Sequence, residues 1–80
     1  MDDQRFEIIR SALAVELRQA RENIGLSQEA LALSANVDRT YVSQLERGIA
    51  NPSLLVLSRI ATALGCSLRV HLSTFDSHSS

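Results

Sequence analysis

The chain has a single cysteine, Cys66, so no disulfide can form within it. No cluster of cysteine and histidine has the spacing of a structural zinc site. Lysine and tryptophan are missing altogether. No apolar run comes near the ~20 residues that span a bilayer. The opening Met1-Asp2-Asp3-Gln4 is acidic and polar, unlike a secretory leader. These absences predict a cytoplasmic protein held by helix packing, and by self-association, not by cross-links or metal. Catalysis has no footing either. Cys66, His71 and His78 lack an acidic or basic partner at a spacing that would activate a nucleophile, so neither enzyme activity nor a cofactor is expected.

What is present is more informative. The formal net charge is only −1, which argues against a generic polyanion binder, yet all 8 basic residues are arginine. Arginine offers a planar fork that pairs with phosphate or guanine bidentately, where lysine acts as a point charge. A hydrophobic fraction of 45% supports a packed core, although a chain this short buries only ~60% of its unfolded surface. We expect one domain over residues 1–75, followed by a polar, disordered tail, Asp76 to Ser80.

Helical periodicity dominates, punctuated by Gly25, Gly48 and Gly65 where left-handed residues end helices. A first helix is predicted from about Asp3 to Asn23. Phe6, Ile9, Leu13, Leu17, Ala20 and Ile24 recur on one apolar stripe, and Asp2, Asp3 and Glu7 favour the positive end of its dipole as Arg18 and Arg21 favour the other. Ser27 caps a short second helix reaching Ser34, and Asp38 caps a third ending at Arg47. Ser53 caps a fourth over Leu54–Leu64, with Leu54, Leu57, Ile60, Ala61 and Leu64 facing inward. The fold class is therefore all-α, a bundle of four helices.

The period then changes. Ser67-Leu68-Arg69-Val70-His71-Leu72-Ser73 alternates polar and apolar, the pattern of a half-buried strand. No other segment of the chain can pair with it, so the natural partner is the same strand of a second subunit across a twofold axis. Leu68, Val70 and Leu72 would then form the dimer interface. Leu68, Leu72 and Phe75 also fit a fifth helix.

The strongest constellation lies between Gln28 and Arg47. Two short helices joined by the tight turn Ser34-Ala35-Asn36-Val37-Asp38 fit a helix-turn-helix. Ala32 permits a close crossing, and Asn36 tolerates the positive φ the turn needs. Leu31, Ala35, Val37, Val42 and Leu45 are apolar where the helices must meet. The run Gly25 to Leu54 contains Leu26-Ser27-Gln28, Ala32, Val42-Ser43, Leu45-Glu46-Arg47-Gly48 and Asn51-Pro52-Ser53. In that combination it closely resembles the Cro/CI-type (XRE) helix-turn-helix family, and the likeness extends over roughly Leu13 to Leu68. One departure is Asn36, where that family usually has glycine.

The resemblance implies a λ-repressor-like fold and a set of roles. The third helix enters the DNA major groove, with Arg39, Thr40 and Gln44 at base edges. Arg39 can take O6 and N7 of guanine, Gln44 can take N6 and N7 of adenine, and Thr40 can bond a base or touch a thymine methyl. Tyr41, Ser43, Arg47 and Asn51 would contact the DNA backbone, as would Gln28 at the amino end of the second helix. In similar proteins the glutamate at Glu46 pairs internally with a first-helix arginine, a position matched here by Arg21. That makes Arg21–Glu46 an expected structural ion pair.

The resulting expectation is a transcriptional regulator, repressor-like, acting as a homodimer on a palindromic site in double-stranded DNA. Control would run through its concentration, its stability or a protein partner. Two subfamilies compete. The C-terminal alternation favours the architecture of HipB-like antitoxins, which also bind a toxin. The run Asp38-Arg39-Thr40-Tyr41-Val42-Ser43 resembles restriction-modification controller proteins. A different class is a protein-interaction module with this fold and little DNA binding, using Leu33, Leu55 and Val56 as an apolar surface.

Overall fold

Each helix begins and ends where side-chain chemistry dictates. A computed structural model describes residues 3–74, which form α1 (Asp3–Asn23), α2 (Gln28–Ala35), α3 (Arg39–Glu46) and α4 (Leu54–Ala63). Ser27 and Ser53 sit in extended backbone at the heads of α2 and α4. Their hydroxyl oxygens accept the N–H of Ala30 and Val56 at 3.0 and 3.2 Å, each satisfying an orphan donor. Asp38 has the same extended backbone before α3, but its carboxylate makes no cap hydrogen bond. The sequence predicted a cap there; only the backbone carbonyl serves, accepting from Tyr41 and Val42.

The α2–α3 turn rests on Asn36, the one non-glycine residue with positive φ among those described, at +60°. Its short amide side chain makes the left-handed region accessible. The turn is closed by the Val37 N–H donating to the Ala32 carbonyl at 2.9 Å. Gly48 ends α3's turn at φ +74°, pressed towards Ser11 and Ala14 of α1.

α2 lies at the centre, packed on both α3 and α4, while α1 lies against α3. Leu31, Val42 and Ile60, one from each of α2, α3 and α4, are fully buried. Ala32, Ala35, Leu45, Ala50 and Leu64 complete the core. The small side chains of Ala32, Ala35 and Ala50 in this core let the backbones that carry them approach closely.

Three expectations need correction. Phe6, Ile9 and Ile24 are exposed (40%, 64% and 53%), although they share the stripe of Leu17 and Ala20, which do pack on the core. A helix of 21 residues is about 31 Å long, more than twice the length of α2 or α3, so its amino-terminal end, with Phe6 and Ile9, extends beyond the elements it packs on. Ile24 lies past the carboxy-terminal end of α1, in the loop before α2. Leu54 is likewise outward, 64% exposed, because it opens α4 before that helix reaches the core. Finally, residues 67–73 form neither a fifth helix nor a strand. A strand is defined by its partner, and among the described residues no segment can supply one. Leu68, Val70 and Leu72 stand exposed at 38%, 69% and 91%. The tail beginning at Asp76, the boundary at residue 75, and Asp2 all lie outside the described residues.

Candidate nucleic-acid interface

α3 is amphipathic in a way that decides which side chains can meet a ligand. Val42 and Leu45 point into the core. At 100° per residue, the opposite face carries Thr40, Gln44 and Arg47, flanked by Arg39 and Ser43. Arg39, Thr40 and Arg47 are exposed, Ser43 and Gln44 half-buried. Neither Arg39 nor Arg47 has a side-chain hydrogen bond or ion pair within the described residues. Their guanidinium groups keep all their donors for a ligand. Asn51, in the loop after α3, is exposed as well.

Tyr41 is placed differently. It is half-buried and packs against the core cluster, so part of the side chain is structural.

Behind this face sits a cluster of hydrogen-bonded polar side chains. Arg21 of α1 donates through Nε to Glu46 Oε2 at 2.6 Å and through Nη2 to Oε1 at 2.9 Å, a bidentate fork. Its Nη1 donates to the Leu26 carbonyl at 2.8 Å, tying the α1–α2 loop into the same group. Gln28 Nε2 donates to Glu46 Oε1 at 3.0 Å. Three helices thus meet at one carboxylate, and the α1–α2 loop at the arginine that holds it; the Glu46 side chain is 3% exposed beside an Arg21 at 12%.

Burial pushes the Glu46 carboxyl up, but the hydrogen bonds from Arg21 and Gln28 outweigh it and hold the group below its ordinary value. The bond to Glu46 raises the Arg21 guanidinium against a smaller opposing effect of burial. Both stay charged throughout the physiological range. Glu46 is turned away from the ligand face and neutralised internally, which removes its repulsion toward a polyanion.

The residues anticipated from sequence are therefore sorted by the fold. Arg39, Thr40, Gln44, Ser43 and Arg47 share one side of α3, with Asn51 in the loop that follows. Arg21, Glu46 and Gln28 form the network behind it. Leu68, Val70 and Leu72 lie in a separate segment after α4. The Gln28–Glu46 bond and the role of the Leu26 carbonyl were not anticipated. Gln28 and Glu46 are 18 positions apart, and only placing α2 on α3 reveals that their side chains meet. Among the described residues no helix is long and apolar enough to cross a membrane.

The chain is similar in sequence and in fold to known proteins. The helix-turn-helix family HTH_3 matches residues 17–70. A hypothetical transcription factor of Neisseria meningitidis serogroup B is 46% identical over 57 residues, which are 71% of this chain and 54% of that protein. Control protein C.MunI from a Mycoplasma species is 44% identical over 48 residues, 60% of this chain and 65% of its own. The crystal structure of the restriction-modification controller protein C.AhdI from Aeromonas hydrophila superposes with a TM-score of 0.73 at 40% identity, covering 75% of this chain and 91% of that one. The chain spans about half the length of the Neisseria relative.

Proposed function

The chain belongs to the helix-turn-helix family HTH_3, and from that premise we propose that it is a DNA-binding transcriptional regulator whose α3 reads the major groove. The observation that carries this is the outward face of α3, where Arg39 and Arg47 hold unengaged guanidinium groups while Val42 and Leu45 anchor the helix from behind. In this reading Arg39, Thr40 and Gln44 contact base edges. Ser43, Arg47, Asn51 and the hydroxyl of Tyr41 contact sugar and phosphate, which set register without reading sequence. Gln28 and the first N–H groups of α2, which have no intrahelical partners, receive a further phosphate.

Residues 1–75 act as one cytoplasmic domain, with 28–47 as its reading unit. Three or four base contacts are too few to single out one site in a genome, so the protein works as a homodimer on two half-sites ~34 Å apart. Leu68, Val70 and Leu72 supply the contact between subunits. Among its relatives are proteins named as control proteins of restriction-modification systems, which favours a controller-like, autoregulatory role over an antitoxin-like one.

Selection of bound sequences from random duplex DNA by the purified protein tests the reading. An inverted repeat is the expected product, and a dimer contacting ~6 phosphates should then lose affinity with a log–log salt slope near −5. No enrichment, or affinity indifferent to salt, would replace DNA binding with the protein-interaction alternative.

A further inference from the structure

We propose that Glu46 is a positioning residue for DNA: by accepting the Gln28 side-chain amide, it orients that amide to present a donor, and not its carbonyl oxygen, to a backbone phosphate. The inference rests on Gln28 being a phosphate contact, as read above, and adds what makes it one. A half-buried glutamine at the head of a helix has several rotamers, and its amide can turn over to offer either oxygen or nitrogen. Against a phosphate only the nitrogen end is useful.

Glu46 removes the ambiguity. An ionised carboxylate has no proton to donate, so the group 3.0 Å from its Oε1 must be the Gln28 nitrogen. One amide N–H is consumed by Glu46 and the second remains available. Arg21 holds the carboxylate itself in place through two bonds of 2.6 and 2.9 Å. Its third bond, to the Leu26 carbonyl at 2.8 Å, ties down the segment that delivers Ser27 and Gln28 to the start of α2. Glu46 is too buried to meet DNA, with 3% of its side chain exposed. It acts through Gln28.

The test is a mutant cycle read on affinity for the duplex recovered by random selection, at a temperature well below every variant's melting transition. Gln28→Ala should weaken binding about tenfold, the usual effect of one hydrogen bond to a charged group. Glu46→Gln keeps the size of the side chain but can itself donate, so the Gln28 amide is free to turn over. It should cost three- to tenfold. The double variant should bind no more weakly than Gln28→Ala alone. Multiplying losses, or full affinity in Glu46→Gln, would overturn the positioning role. Full affinity in Gln28→Ala would instead remove the phosphate contact on which it rests, and a wild-type protein that binds no duplex would remove the functional reading itself. Should Glu46→Gln not fold, nuclear magnetic resonance of the wild-type protein still decides. The Gln28 amide proton bonded to Glu46 should exchange with water more slowly than its geminal partner and than those of exposed Gln19, and equal exchange of all of them would sink the proposal.

Discussion

In the proposed reading, Glu46 serves a DNA-facing helix without touching DNA. A carboxylate near phosphates is repulsive, yet here it is buried, bidentately paired and shared by three donors. Removing one partner of a buried pair leaves the other charge uncompensated, so Glu46→Ala should cost ~3–5 kcal/mol of folding stability. That is a large share of the roughly 5–15 kcal/mol available to a native domain. Chemical denaturation measures it, and an unchanged midpoint together with unchanged DNA affinity would dismiss the clamp. The pH dependence has a definite sign. Because the folded Glu46 carboxyl lies below its ordinary value of 4.5, the stability it supplies is fully present above that value and is lost as pH falls through the lower, folded one. Acid titration of Glu46→Ala should therefore show a shallower loss than the wild-type protein.

Among the helices, the three N-cap positions predict different outcomes for the same change. Ser27→Ala and Ser53→Ala each delete a hydroxyl that accepts from the third residue on, and each should lower stability by ~1 kcal/mol. Asp38 makes no such bond, so Asp38→Ala should cost clearly less than either serine change. A loss as large as theirs would mean that the carboxylate caps α3 in solution. Asn36 tests the turn between the helices. At φ +60°, Asn36→Gly should be close to neutral, while Asn36→Ala should destabilise by about 1 kcal/mol through Cβ strain in the left-handed region. Equal melting temperatures for the two would contradict the turn geometry.

Viewed whole, the protomer leaves large apolar side chains exposed in several places, among them Phe6 and Ile9 of α1, Leu33 of α2, Leu54 and Leu55 of α4, and Val70 and Leu72 in the segment after α4. In the proposed dimer that last segment is buried. Leu72 is 91% exposed in the protomer, so Leu72→Asp should leave the fold of one subunit intact while placing a charge in the contact between two. Sedimentation should show a monomer, and binding to an inverted repeat should fall to that of a single half-site. A Leu72→Asp protein that sediments as a dimer would move the contact elsewhere, with Phe6 and Ile9 of α1 the next surface to test.

Much was legible because it is local. Helix positions follow from a 3.6-residue period, from serine caps and from residues that accept positive φ, all properties of neighbours in the chain; Asp3–Asn23 was readable for that reason. The outward set on α3 was legible too, since Val42 and Leu45 define the buried side and leave Arg39, Thr40 and Gln44 opposite. Periodicity names a face but not what covers it. Phe6, Ile9 and Leu54 keep a core-like spacing and remain exposed, because cover depends on the lengths and placement of other helices. The alternation of residues 67–73 likewise states a capacity to pair, which a single chain cannot satisfy. The bond from Gln28 to Glu46 joins side chains far apart in sequence, and the crossing of α2 on α3 alone brings them within 3.0 Å. The sequence by itself determined the helices, their caps and the chemistry offered outward. Tertiary structure decided which apolar groups are sheltered and which polar groups meet, since burial and contact are properties of how elements lie together in space.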